Sequence, residues 1–185
     1  MSIDTLHYLN VVLGLGAIAL QIFSVLILFV FFGGHRKNIF LDFIEKHFLV
    51  IGFLISFFAT LFSLVYSETI HFPPCELCWF QRVFLFPQVF IFGAALWEKN
   101  KKIMKYTLPL LFVGFIISIY QNLVYYFGES SNVPCDASGI SCYKHLVSEF
   151  GGYISIPMLS LTSFLVLIVL VLVVYFYGKR NSIDL

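Results

Sequence analysis

Two cysteines spaced C-x-x-C stand directly behind a Pro-Pro pair in the stretch His71 to Pro87, HFPPCELCWFQRVFLFP, with an arginine four residues beyond the second cysteine. Neighbouring thiols at this spacing can close to a disulfide and reopen. The thiolate is the attacking form in exchange with another thiol pair or with an electrophile. Pro73 and Pro74 hold the backbone extended and cannot sit inside a helix, so the spacing predicts a helix that starts at or just after Cys75. Cys75 and Cys78 then occupy its first turn, where unpaired N–H groups and the positive end of the helix dipole favour a thiolate over a thiol. At 3.6 residues per turn, Cys75, Cys78 and Arg82 share one face, which brings the guanidinium toward the Cys78 sulfur. Gln81, next to Arg82, is placed to donate a hydrogen bond, and Phe80 and Phe84 flank the face on which a flat cofactor would lie.

A second pair, Cys135 and Cys142, lies in the longest polar segment, Gly128 to Tyr153. Four cysteines allow three pairings, and two structural bridges or a four-cysteine zinc site are the plain alternatives to redox chemistry. A C-x-x-C bridge closes too small a loop to remove much chain entropy, so as a structural staple it gains little. Zinc prefers a tighter second pair, and no metal site is expected. Redox chemistry is the favoured reading of the residues. His71 and His145 read as solvated loop residues.

The elements that must hold these residues are membrane helices. The 185 residues are 60% hydrophobic and only 11% charged, with a mean hydropathy of +0.95, more than a soluble core of this size needs. A net charge of +1 points to neither nucleic acid nor an acidic substrate. Leu9 to Phe32 is apolar over about 36 Å as a helix, enough to span. Nothing basic precedes it, and the run is too long for a signal peptide. Further spans are expected at Phe48 to Tyr66, Trp79 to Leu96 with a kink at Pro87, Tyr106 to Phe127 ending in an aromatic belt of Tyr120, Tyr125 and Tyr126, and Ile154 to Tyr177. His35 to His47 and Tyr143 to Phe150 alternate charged and apolar residues at helical spacing and read as short helices lying on the membrane surface.

Five spans place the polar segments alternately on the two sides. Nine of the eleven Lys and Arg residues (Arg36, Lys37, Lys46, Lys99, Lys101, Lys102, Lys105, Lys179, Arg180) fall on one side, against Arg82 and Lys144 on the other. The basic side is cytoplasmic by the positive-inside rule. The N-terminus and all four cysteines are then expected outside, where disulfides persist, and the C-terminus inside.

PPCELCWFQR resembles the C-x-L-C-x-x-x-R signature of the bacterial DsbB disulfide bond formation proteins. VPCDASGISC followed by FGGYISIPMLSLTSF is similar to the second loop and last helix of their short-loop BdbC-type members. The resemblance covers about residues 48 to 177 and implies an all-α integral membrane protein of the bacterial cytoplasmic membrane. Its architecture would be a four-helix DsbB-like bundle (48–177), preceded by an extra transmembrane helix with a cytoplasmic amphipathic linker (1–47) and followed by a cytoplasmic tail (178–185). It also implies a thiol oxidase that reoxidises a DsbA-like thioredoxin-fold dithiol protein and passes the electrons to ubiquinone or menaquinone in the membrane quinone pool. Carried over by position, Cys78 faces the quinone with Cys75 as its disulfide partner, Arg82 supports quinone binding, and Cys135 attacks the partner protein with Cys142 completing that pair. The first helix is additional to the family pattern. Only six residues separate Cys135 from Cys142, fewer than in long-loop members.

Two other function classes fit some of the same residues. Vitamin K epoxide reductase-like quinone reductases share a four-helix bundle and a C-x-x-C, but their loop pair precedes that motif, whereas here it follows. A non-enzymatic membrane assembly factor with two structural disulfides would resist mild reductant, which a catalytic C-x-x-C does not.

Overall fold

The computed structural model describes residues 3–33, 38–100, 102, 104–127 and 152–183. Five long helices run through them: α1 (Ile3–Phe32), α2 (Ile39–Leu64), α3 (Glu76–Glu98), α4 (Met104–Phe127) and α5 (Ile156–Ile183), with a π-helical turn (Val65–Thr69) continuing α2. All five are long and apolar enough to cross a bilayer. In hydrocarbon each backbone N–H and C=O must be paired within its own segment or barrel, so runs this apolar become helices. The protein is an all-helical, multi-pass membrane protein.

Local chemistry sets the helix ends. Asn38 caps α2, its side-chain oxygen accepting from the Phe40 amide at 3.0 Å. Cys75, in extended conformation behind Pro73 and Pro74, is the N-cap of α3. The far end of α3 turns through Lys99 in the left-handed region (φ 51°), with the Asn100 amide donating to the Ala95 carbonyl at 3.1 Å. This is the helix-ending geometry that glycine usually supplies, here followed by a lysine-rich segment. α3 runs on through Pro87.

The bundle closes as a ring in which α2 packs on α3, α3 on α4, α4 on α5 and α5 back on α2. α1 lies outside the ring, mainly along α5. This is the expected bundle of spans two to five with one extra N-terminal helix. α5 is the most buried of the five, because it faces α1 as well as its ring neighbours. One apolar cluster joins α1, α2 and α5 through Ile27, Ile44, Phe48, Leu170 and Tyr177. A second joins α3, α4 and α5 through Leu85, Phe92, Leu111, Phe164 and Leu167. Two glycines let aromatic rings approach a neighbouring backbone. A Cβ at Gly114 would stand 2.3 Å from the Phe164 ring, and one at Gly52 would stand 2.6 Å from the Phe92 ring.

Two expectations are corrected. The amphipathic stretch up to His47 is no separate surface helix over its described part: from Ile39 onward it forms the opening turns of α2. Its apolar stripe, Leu41, Ile44 and Phe48, is buried against α1 and α5, and Tyr177 donates to the Asp42 carboxylate at 2.5 Å. The stripe is real, but its partner is protein, a distinction that periodicity does not carry. Of the expected aromatic belt, Tyr120 and Tyr126 are exposed while Tyr125 is buried. The expected surface helix at Tyr143 to Phe150 lies outside the described residues.

Candidate functional site

The loop between α2 and α3 delivers the cysteines. After the π turn, His71 takes a positive φ of 60°, a conformation costly for a residue with a side chain. Pro73 and Pro74 then carry the chain extended to Cys75. With Cys75 at the N-cap and Cys78 in the first turn, the two sulfurs stand 3.3 Å apart as a dithiol. Cys75 is buried and Cys78 partly so. A disulfide needs about 2.05 Å between sulfurs, so the two sulfurs stand close to bonding distance.

The hydrogen-bond donor to these sulfurs comes from α4. Gln121, buried, points its amide nitrogen at Cys78 Sγ (3.1 Å) and at Cys75 Sγ (3.4 Å). Gln81 from α3 donates to the Gln121 oxygen at 2.6 Å. That contact occupies the acceptor end of the amide and leaves its N–H₂ for the sulfurs. Sequence reasoning singled out Gln81 and missed Gln121. The available signal was a Gln-Asn pair inside an apolar span, where polar side chains are costly unless they serve a partner.

Arg82 shares the face of Cys78 but spends its donors elsewhere. Its Nε donates to Ser63 Oγ at 3.0 Å and its Nη2 to the Ser63 carbonyl at 2.9 Å. The guanidinium also lies over the rings of Trp79 (5.2 Å) and Phe86 (5.9 Å). It is buried at 8% exposure, so it is held between α2 and α3 where a snorkelling arginine would reach for water.

Cys75, Cys78, Gln81, Arg82 and Gln121 open on one cavity of about 720 Å³, in the upper part of the range of small-molecule sites, about 300–1,000 Å³. From the sulfurs it extends between α1, α2 and α5, walled mostly by aliphatic and aromatic side chains such as Leu20, Phe58 and Phe62. Phe80 and Phe84 do not line it, and Phe80 is 54% exposed. Two and six positions beyond Cys78, they fall on another face of the helix. The aromatic lining is Phe58 and Phe62 of α2, with Tyr66, Phe72 and Tyr125. Cys135 and Cys142 lie outside the described residues.

The arrangement suits an amphipathic electron acceptor: a redox-capable sulfur pair and a cation at one end, hydrocarbon walls along the rest. Comparison with known proteins finds disulfide formation proteins. The family model for "Disulfide bond formation protein DsbB" matches residues 45–174. A "Probable disulfide formation protein C 2" of Bacillus anthracis is 37% identical over 139 residues, 75% of this chain and 98% of that protein. "Disulfide bond formation protein C" of Bacillus subtilis is 38% identical over 123 residues, 66% of this chain and 88% of that one. A "Probable disulfide formation protein" of Coxiella burnetii is 32% identical over 139 residues, 74% and 94% respectively. No solved structure matches the chain. α1 lies wholly before the matched segment.

Proposed function

The chain belongs to the disulfide bond formation protein DsbB family, and on that premise we propose that it is a membrane thiol oxidase that reoxidises a thioredoxin-fold dithiol protein outside the cytoplasm and hands the electrons to a membrane quinone. The observation that carries this reading is the Cys75–Cys78 dithiol at the mouth of α3, held by Gln121 and opening with Arg82 on an apolar cavity. Both cysteine pairs and the N-terminus face outward, and the Lys- and Arg-rich segments face the cytoplasm.

The two pairs divide the work. The Cys135–Cys142 disulfide takes two electrons and two protons from the partner dithiol by thiol–disulfide exchange, which leaves the partner oxidised. The resulting dithiol reduces the Cys75–Cys78 disulfide by a second exchange. A quinone in the cavity supplies the final acceptor: it takes two electrons and two protons and leaves as quinol. Cys78 is the sulfur on the open side of the pair, since Cys75 is buried. The Gln121 amide favours its thiolate by donating to it. Arg82 contributes a fixed positive charge beside the cavity, already desolvated and oriented by Ser63, where negative charge develops on the acceptor. Gln81 keeps the Gln121 amide from turning its oxygen toward the sulfurs.

The test is anaerobic oxidation of a reduced thioredoxin-fold protein by the purified membrane protein, following partner thiols and quinone absorbance together. One quinol should form per partner disulfide. Cys78→Ser should abolish quinol formation while a mixed disulfide between the partner and Cys135 still accumulates. Quinol formation at the wild-type rate in Cys78→Ser would overturn the assignment.

A further inference from the structure

The family match begins at residue 45, yet α1 supplies one wall of the cavity through Val12, Gly16 and Leu20, spaced four apart on one face. Facing them on α2 are Leu54, Phe58 and Phe62, also spaced four apart, with Phe58 and Phe62 stacked at 6.3 Å. The cavity residues of α2 and the π-helical turn that continues it run from Leu54 to Ser67, about 20 Å along the helix. Contact with the sulfurs and Arg82 uses only one end of that length.

α1 is fastened at both ends of this face. The Tyr66 hydroxyl donates to Asn10. Gln21 donates to Thr162 Oγ1 at 2.8 Å and accepts from the Tyr153 hydroxyl at 3.0 Å. Polar ties of this kind in an apolar medium fix a helix in place, because breaking one strands its groups without water. Between the ties Gly16 opens on empty space, and a Cβ added there meets nothing within 4 Å.

We propose that α1 is the tail-binding wall of the acceptor site: the isoprenoid tail of the quinone lies between Val12, Gly16 and Leu20 of α1 and the aromatic face of α2, and the absence of a side chain at Gly16 makes room for it. This rests on the quinone reading above and adds to it a specificity determinant outside the matched family segment.

The experiment uses the full-length protein in lipid nanodiscs. Menadione serves as a ring without a tail and menaquinone as the same ring with an isoprenoid tail, and a corresponding ubiquinone pair is run in parallel. Binding is read as thermal stabilisation, and KM from quinone reduction by the pre-reduced protein. Gly16→Leu, which fills open space, should keep the melting temperature of the quinone-free protein. It should weaken binding and raise KM about tenfold for the tailed quinone, and change the tail-less ring by less than about twofold. Val12→Phe provides a second filling of the same face should Gly16→Leu lower the melting temperature. Val25→Leu, on the lipid-exposed side of α1, should change neither. Equal weakening of tailed and tail-less quinones by both filling variants, or no change for either, would overturn the role of α1 while leaving the acceptor reading standing. A wild-type protein that neither binds nor reduces any of the quinones would overturn the acceptor reading and this inference with it.

Discussion

At the scale of single residues the site is built from polar side chains that an apolar environment makes expensive to misplace. Gln121 is the clearest case, since its amide meets both sulfurs while its oxygen is taken by Gln81. A hydrogen bond to a charged group contributes about 1.5–3 kcal/mol, so Gln121→Leu should slow alkylation of Cys78 and quinol formation about tenfold or more. Folding should be largely retained, which circular dichroism and thermal melting would check. Unchanged alkylation would mean that the amide does not serve the thiolate. Arg82 has a double burden, because it ties α3 to Ser63 and also lines the cavity. Arg82→Ala should therefore lower the melting temperature as well as raise the quinone KM. Arg82→Lys should recover only part of each, since one ammonium cannot reproduce the planar fork that holds both Ser63 oxygens. Ser63→Ala separates the two burdens: it removes one of the two bonds and leaves the charge, so it should affect stability more than KM.

At the scale of elements, helix approach decides whether the ring closes. The Phe164 and Phe92 rings lie where a Cβ on Gly114 or Gly52 would have to go. Overpacking of this kind costs about 1–3 kcal/mol, so Gly114→Ala should destabilise the bundle. The double variant Gly114→Ala with Phe164→Leu should recover part of the loss in a thermal melt. Lack of recovery would locate the strain elsewhere than in that contact. The same packing explains why the stripe in the first turns of α2 does not mark a surface helix. Leu41, Ile44 and Phe48 meet Ile27 and the Val173 to Tyr177 end of α5, a partner more than 120 residues away in the chain.

At the scale of the whole molecule, charge distribution sets orientation. Nine basic residues on one side against two on the other should hold the N-terminus and both cysteine pairs outside the cytoplasm. A membrane-impermeant maleimide applied to intact, reduced cells should label single-cysteine variants retaining Cys135 or Cys142. A cysteine placed at Ser182 should label only after the cells are opened. The reverse pattern would invert the topology and overturn the proposed route from an external partner to a membrane quinone.

The sequence by itself determined the membrane class, the number of spans, the start of α3 behind Pro73 and Pro74, and the placement of Cys78 in its first turn; Cys75, expected in that turn, stands one position before it as the N-cap. These follow from local rules: apolar length, the geometry of proline, and helical periodicity. What only the tertiary structure decided is which side chains meet across helices. Arg82 was expected to reach toward Cys78, but its donors go to Ser63 on α2, and the donor to the sulfurs is Gln121, more than 40 positions along the chain. Phe80 and Phe84 were expected beside a flat cofactor; neither lines the cavity, whose aromatic lining is Phe58, Phe62, Tyr66, Phe72 and Tyr125. Nothing in the apolar run of α1 announces that Gly16 borders a cavity. In a chain so uniformly apolar, periodicity cannot separate a lipid-facing stripe from a helix-facing one, because lipid and protein interior present nearly the same environment to a Leu or Phe side chain. Packing shape and the pairing of a few buried polar groups make that choice.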